Sequence, residues 1–459
     1  MKQYISKLTL FSFILFGIIS ILYVEGIIFK EAIIIKAIWA CFSFIFSMYA
    51  WHKKSLTAWI LFSMILGVQI GIYLPEIGKD LQFLSKIFLR LIKTIIAPIL
   101  FSTLVVGIAS HSNLKQLGRM GWKSLLYFEV VTTLALILGL IAINISKAGV
   151  GVIIPPGLQE ELPKVAKLTW QEHIINTFPE NIIKSMYHGE VLPIVVFSIL
   201  FGISMAFLSD EKKEPILKFS ESLSEVMFKF TNIIMKFAPL GVGGAIAFTT
   251  AHMGTAILFS LLKLLLTLYA ALIAFVLLVL IPIALIFKIN IKNFLAAIAE
   301  PVSIAFATTS SESALPLAME NMERFGVPRK IVSFVLPTGY TFNLDGTTLY
   351  LSLASIFVAQ VAGINMSFGE QLLLGLTLML TSKGVAGVPR ASLVILMGLA
   401  ASFNLPLLPI MAILGIDELM DMARTSINVT GNCLASAVVA RWEGELDDKK
   451  MNTPFEPIV

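Results

Sequence analysis

What most limits the fold of this chain is the recurrence, from its first residues to about residue 440, of apolar runs roughly 20 residues long, the length a helix needs to cross the hydrocarbon core of a bilayer. In lipid every backbone N–H and C=O must find its partner inside the protein, so runs of this length read as helices. The composition agrees, with 57% of the 459 residues hydrophobic and 14% charged and a mean hydropathy of +0.88. A soluble domain rarely exceeds half apolar with so few charges. The expected fold class is an all-α polytopic membrane protein.

Continuous apolar segments run near 8–29, 31–51, 56–75, 81–110, 124–145, 191–208, 226–251 and 255–287, and each reads as an ordinary helix. The first follows Lys2 and Lys7, as in a signal peptide, but lacks a small-residue cleavage site and is expected to be retained. His52, Lys53 and Lys54 precede the third segment, and Lys115, Arg119 and Lys123 fill the loop after the fourth. The positive-inside rule puts both clusters in the cytoplasm. An N-terminus on the same side follows if the first two segments form a hairpin, and the loop from about 146 to 190 then lies outside.

The net charge of +5 does not point to nucleic acid, because the cations sit at segment ends rather than in a basic stripe. Cys41 and Cys433 both lie in apolar segments and form neither a disulfide framework nor a zinc pattern. His52, His111, His173, His188 and His252 are scattered without metal-ligand spacing. No nucleophile and base pair or metal motif suggests an enzyme.

Past residue 290 the pattern changes, and the apolar pieces become too short to span alone. They are interrupted by a serine-rich turn at Thr308–Pro316, by Pro337–Thr347, by a Gly-rich turn at Ser382–Pro389 and by a polar helix from Asp417 to Asn432. Irregular backbone at membrane depth survives where it lines a protein-walled cavity, and interrupted segments point to the midplane site of a transporter. Broken helices that line a channel pore are the alternative from another class; exchange of preloaded substrate separates the two.

In the polar helix Asp417, Asp421, Arg424 and Asn428 are spaced by 4, 3 and 4 residues, which gathers them on one face. An intrahelical Asp421–Arg424 salt bridge accounts for two of these charges but not for Thr425, Asn428 and Asn432, which continue the stripe. An arginine fork matches a carboxylate, and a neighbouring acid accepts from an ammonium group. Together they describe an amino acid carrying an extra acid. In Asn343-Leu344-Asp345-Gly346-Thr347, a glycine among polar side chains frees carbonyls that can hold a cation or ligand. Glu129, inside the segment 124–145, and Glu312, in the serine-rich turn, are candidate proton carriers, since burial favours the neutral acid. A helix-end Glu129 and a Glu312 that satisfies backbone donors are the structural alternatives.

In these motifs the sequence resembles the dicarboxylate/amino acid:cation symporter family, the glutamate-transporter family, over about residues 55 to 446, and within it the bacterial proton/sodium–glutamate–aspartate symporters. The resemblance is carried, in order, by Ser310-Ser311-Glu312-Ser313-Ala314-Leu315-Pro316, the Asn343–Thr347 string, Gly384-Val385-Ala386-Gly387-Val388-Pro389 and Asp421–Asn432. It implies a homotrimer in the inner membrane, working by an elevator motion, without an organic cofactor. It also implies a division into two extra helices (1–54), mainly scaffold and trimerisation helices (55–290), a transport core with two re-entrant hairpins (291–446) and a cytoplasmic tail (447–459).

By the same resemblance the side-chain carboxylate of the substrate lies on Arg424 and Thr347, and its amino group on Asp421. Its α-carboxylate meets Asn428, Thr425 and Ser311, with Val388 and Ser392 closing over it. Cation positions involve Asn343, Asp345, Asn428 and Asn432, with backbone carbonyls of Gly339, Thr341, Ser382, Lys383 and Val385. Two departures bear on coupling. Asn432 stands where sodium-coupled members carry an aspartate, and Tyr127-Phe128-Glu129-Val130-Val131-Thr132 lacks some hydroxyl ligands of a sodium site. A neutral amide attracts a monovalent ion less than an anion does, which favours protons over sodium. Arg390 replaces a glycine of the second hairpin tip and either assists substrate capture or faces water. Within the family a C4-dicarboxylate carrier is the rival reading, because Ser310–Pro316 and Pro337-Thr338-Gly339-Tyr340 also look like that subgroup.

Overall fold

The computed structural model describes residues 32–109, 114–152, 175, 178–188, 191–382, 391–403 and 405–455. All regular structure among them is helical. The apolar segment 8–29 and most of the loop 146–190 lie outside the described residues. The chain forms two compact units, one of Met1–Arg90 with Ile233–Leu258, the other of Leu91–Asn232 with Phe259–Val459.

The first unit contains α1 (Ala32–Lys53), α2 (Leu56–Tyr73), α3 (Pro75–Asp80) and α9 (Ala238–Met253). α2 lies along α9. Its small residues let the backbones approach as closely as helices in lipid need in order to gain packing energy. α1 leans on α2, and the only amide side chain of α2, Gln69, donates to Ser43 Oγ at 2.5 Å and to the Trp39 carbonyl at 3.1 Å. Removing residues 1–54 takes both acceptors away from this amide, at a cost of about 1–3 kcal/mol for an unsatisfied polar group. The truncated protein is therefore expected to melt at a lower temperature in detergent, and Gln69→Leu in the truncated chain to recover most of the loss. Equal melting of the truncated chain with and without leucine would show that the amide is not the cause.

Between the two units run α4 (Gln82–Ala109) and α8 (Asp210–Met235). The sequence led us to expect one helix over 226–251. Instead α8 stops at Met235 and α9 starts at Ala238. The cause is Pro239 at the second position of α9, which has no N–H to donate to the Met235 carbonyl.

The second unit holds α5 (Leu114–Ser146), α6 (Ile182–His188), α7 (Val191–Ala206) and α10 (Ala256–Phe275), which continues through a π-helical turn at Val276–Leu280 into α11 (Ile281–Ile286). α7, expected to be an ordinary span, has only 16 residues. At 1.5 Å per residue it rises about 24 Å, less than a hydrocarbon core of about 30 Å. Then come α12 (Ile291–Thr308), α13 (Ser311–Phe325), α14 (Arg329–Phe342), α15 (Asp345–Val361), α16 (Phe368–Ser382), α17 (Ala391–Ser402), α18 (Leu408–Leu414), α19 (Asp417–Glu443) and the short α20 (Asp448–Asn452).

Among the described residues six stretches are long and apolar enough to cross a membrane: Leu56–Tyr73, Pro75–Val106, Met120–Ser146, Ala256–Ile286, Ile291–Thr308 and Arg329–Val361. Ile291–Thr308 corrects the expectation that every piece past residue 290 is too short, because alanine-rich turns carry α12 through Glu300 and Pro301 without a break. The expected interruptions do occur. Thr309, with a left-handed φ of 52°, ends α12, and the Ser310 hydroxyl caps α13 by accepting from the Ser313 N–H. α14 and α15 are separated at Asn343 and Leu344, whose φ, ψ values of −125°, 72° and −100°, 69° leave the helical region. α12 and α13 pack on each other, and α12, α13, α14 and α15 all pack on α19.

Candidate functional site

α19 carries the polar stripe into the interior of the second unit. Arg424 is only 1% exposed, although a lone guanidinium is among the costliest groups to bury. Three neighbours meet that cost. Its Nε donates to Asp421 Oδ1 at 2.7 Å, and its Nη1 to Asp417 Oδ1 at 3.1 Å. Its Cζ lies 4.2 Å from the centre of the Tyr350 ring, a cation–π contact. The Tyr350 hydroxyl in turn donates to Asp417 Oδ1 at 3.2 Å. The salt bridge weighed as a bare intrahelical pair is thus present, but as part of a grip by two acids and a ring. Nη2 is buried without a hydrogen-bond partner, as is Asp417 Oδ2. A planar fork held on one side with a donor open on the other is disposed to receive a carboxylate.

The break between α14 and α15 meets the same helix one turn on. Asn428 Oδ1 accepts from the backbone N–H of Gly346 at 2.8 Å and of Thr347 at 3.3 Å, while its Nδ2 donates to Thr347 Oγ1 at 3.0 Å. These N–H groups belong to the first turn of α15 and have no partner within that helix. Thr425 Oγ1 donates to Asp421 Oδ1 at 3.2 Å. Thr347, Asp421, Arg424, Thr425 and Asn428 are therefore brought into one buried, continuously bonded group.

A second cluster lies further along. Asn343 Nδ2 donates to Asp345 Oδ2 at 3.1 Å and to Asn432 Oδ1 at 3.3 Å, and Asn432 Nδ2 donates to the Asn343 carbonyl at 3.2 Å. Asn343, Asp345 and Asn432 are each 0% exposed. Two glycines permit the approach. A Cβ at Gly339 would collide with Asn432 Oδ1, and one at Gly431 with Asp345 Oδ2. The buried hydroxyl of Tyr127 on α5 and the Oδ1 atom of Asn343 have no hydrogen-bond partner. Such an oxygen-rich pocket suits a hard monovalent cation or a proton-bearing group, not a metal that wants His or Cys.

The remaining sequence-predicted residues are placed as follows. Ser311 is buried as the first residue of α13, which packs on α19, and Ser392 is buried near the start of α17. For Thr341 and Ser382 only the helical backbone is described. Lys383, Val385, Val388 and Arg390 lie outside the described residues. Glu129 and Glu312 are both exposed, Glu129 beside Val130 on the outer face of α5 and Glu312 in the first turn of α13. Neither is brought into the buried clusters. Sequence reasoning placed Asp417 on the stripe without giving it a role, and it missed Tyr350 and Gly431. The spacing of 7 residues between Asp417 and Arg424, two helical turns, was the available signal for the first; nothing local marks the other two.

Comparison with known proteins converges on the same kind of molecule. The sequence profile of the sodium:dicarboxylate symporter family matches residues 56–442. A proton/sodium-glutamate symport protein of Geobacillus stearothermophilus is 43% identical over 409 residues, covering 87% of this chain and 97% of that protein. The proton/glutamate-aspartate symporter of Escherichia coli is 43% identical over 415 residues, covering 87% and 95%. A C4-dicarboxylate transport protein of Bacillus subtilis is 39% identical over 403 residues, covering 86% and 96%. With a profile spanning nearly all of the described helices and relatives this similar from end to end, the chain belongs to the sodium:dicarboxylate symporter family and is a membrane symporter, not an enzyme.

Proposed function

We propose that this symporter imports glutamate and aspartate, and that protons rather than sodium ions accompany them. The observation that carries the substrate class is the buried Arg424 fork with its open Nη2 beside the carboxylate of Asp421. Arg424 and Thr347 take the side-chain carboxylate, and Asp421 takes the ammonium group. Asn428, Thr425 and Ser311 serve the α-carboxylate, with Val388 and Ser392 closing over it. The relatives named for glutamate and aspartate support this reading.

Cation coupling follows from charge. The buried ionisable residues of α15 and α19 are the acids Asp345, Asp417, Glu418 and Asp421 and the single base Arg424. An acidic substrate adds negative charge to a site already in excess, so its entry requires a cation or a proton. Asn343, Asp345 and Asn432, with the carbonyls of Gly339, Thr341, Ser382, Lys383 and Val385, form the candidate cation positions. The Asn432 amide favours protons, because its N–H already satisfies the Asn343 carbonyl that an aspartate at 432 would leave to a metal ion. Glu129 and Glu312 stand as proton carriers at the exposed ends of the path. A homotrimer in the inner membrane, a cytoplasmic N-terminus and elevator motion of the segment 291–446 complete the proposal.

The second reading, a C4-dicarboxylate carrier, has a relative of that name in its favour. Asp421 speaks against it, since a dicarboxylate has no ammonium group to neutralise a third acid. Uptake of labelled glutamate, aspartate and succinate into proteoliposomes under an inward proton gradient, with sodium absent, tests both points. The expected result is saturable glutamate and aspartate uptake without sodium. Succinate-only uptake would overturn the substrate assignment, and uptake that waits for sodium would overturn the coupling.

A further inference from the structure

Beyond residue 442, where the family profile ends, the chain does not leave the protein. α19 stops at Gly444, whose φ of 73° is the left-handed conformation that suits glycine, and the Glu445 N–H returns to the Ala440 carbonyl at 2.9 Å. The chain then doubles back across the ends of α12 and α13 that lie opposite the Thr309–Ser310 turn. The Asp447 N–H donates to the Gly326 carbonyl at 3.0 Å, at the end of α13. Asn293, in the first turn of α12, donates its single amide to two tail carbonyls, Met451 at 2.9 Å and Thr453 at 3.0 Å. Asn290 Nδ2 donates to Asn452 Oδ1 at 3.2 Å, and the Arg324 guanidinium covers the Phe455 ring at 4.9 Å. Met451 is buried.

Arg441, in the last turn of α19, fixes the near end of this segment. Its Nη2 and Nη1 donate to both oxygens of Asp448 at 2.6 and 3.1 Å, and its Nε and Nη2 donate to the Phe287 and Lys288 carbonyls at 3.1 and 3.3 Å. One guanidinium thus ties the end of α11, the foot of α19 and the tail together. A tail that merely follows the last helix needs no hydrogen bonds to three other helices, and Asn293 has no other role in the fold's hydrogen bonding than its cap and these two bonds.

We infer that Gly444–Phe455 is a strap that holds the base of the α12–α13 pair on the foot of α19 throughout transport, with Asn293 and Arg441 as positioning residues. Ser311 and Arg424 sit at the opposite ends of these helices. At 1.5 Å per residue Arg424 is about 25 Å from Arg441, so a small tilt at the base becomes a displacement of the serine turn relative to the guanidinium. If loosening the base leaves the two in register for about a tenth of the time, the apparent KM rises about tenfold while the maximal rate changes little.

The inference uses acidic amino-acid uptake as its readout and so rests on the function proposed above. Its test begins with a Cys41→Ser chain carrying Asn290→Cys and Asn452→Cys, joined by a short bis-methanethiosulfonate reagent. The joined protein is expected to transport with unchanged KM and rate; loss of transport on joining would mean that the strap opens in the cycle and would overturn the inference. Ending the chain after Gly444 is expected to raise KM about tenfold, and Asn293→Leu in the full chain to raise it in the same direction. Should the shortened chain not assemble, Asn293→Leu carries the test, and an unchanged KM for it counts against the strap. An unmodified chain that takes up no glutamate refutes the proposed substrate instead, and KM is then read with succinate.

Discussion

Replacing Arg424 by alanine is expected to abolish uptake of glutamate and aspartate, lowering it by about two to three orders of magnitude. The group removed is the buried base that faces Asp417 and Asp421, and breaking a buried pair from one side costs about 3–5 kcal/mol because the partner charge is left uncompensated. Part of that loss is expected to appear as lower stability in detergent. Arg424→Lys separates charge from geometry. It keeps the cation but replaces the planar fork by a point donor, and one lost charge-assisted hydrogen bond of about 1.5–3 kcal/mol corresponds to a KM raised about 10- to 100-fold. Initial rates of labelled glutamate uptake in proteoliposomes, normalised to inserted protein, measure both. Wild-type uptake in the alanine variant would remove the central residue from the site.

Asp421→Ser is expected to exchange the preference of the transporter, from amino acids to dicarboxylates. Serine is too short to pair with a substrate ammonium as a carboxylate does, and the loss of that charged contact costs glutamate about 1.5–3 kcal/mol. Succinate, in contrast, loses a repelling neighbour. Two opposite effects of that size change the ratio of succinate to glutamate uptake by about a hundredfold or more. The fold is expected to survive, because Asp417 still accepts from Nη1 and Tyr350 still covers the guanidinium. Competition between labelled glutamate and unlabelled succinate reads the ratio directly, and a ratio that stays at the wild-type value would assign Asp421 to the support of Arg424 alone.

The two variants differ in what the tertiary structure adds to the sequence. That Arg424 and Asp421 share a face was legible from their spacing, since side chains three and four apart in a helix are neighbours whatever surrounds them. That Asp417 and Tyr350 share the task of holding the guanidinium was not. Tyr350 comes from another helix, and its contact depends on how α15 lies against α19. The same distinction separates the asparagines. Asn428 was expected near Thr347, and the structure shows why: it satisfies N–H groups that the broken helix leaves open. The amide of Asn432 was read as a weakened cation ligand, whereas its bond to the Asn343 carbonyl gives it a partner of its own.

The sequence by itself determined the membrane class, the order of the helices and the places past residue 290 where they break. These follow from apolar run length, glycine and proline, and the periodicity of a single helix, all of which are local. Only the tertiary structure decided that α8 and α9 part at Pro239, that Glu129 and Glu312 face outward, that Gly431 yields its side-chain space to Asp345, and that the tail returns to Asn293. Each of these depends on packing between segments, or on which direction a helix face turns, and the pattern of one segment contains no term for its neighbour.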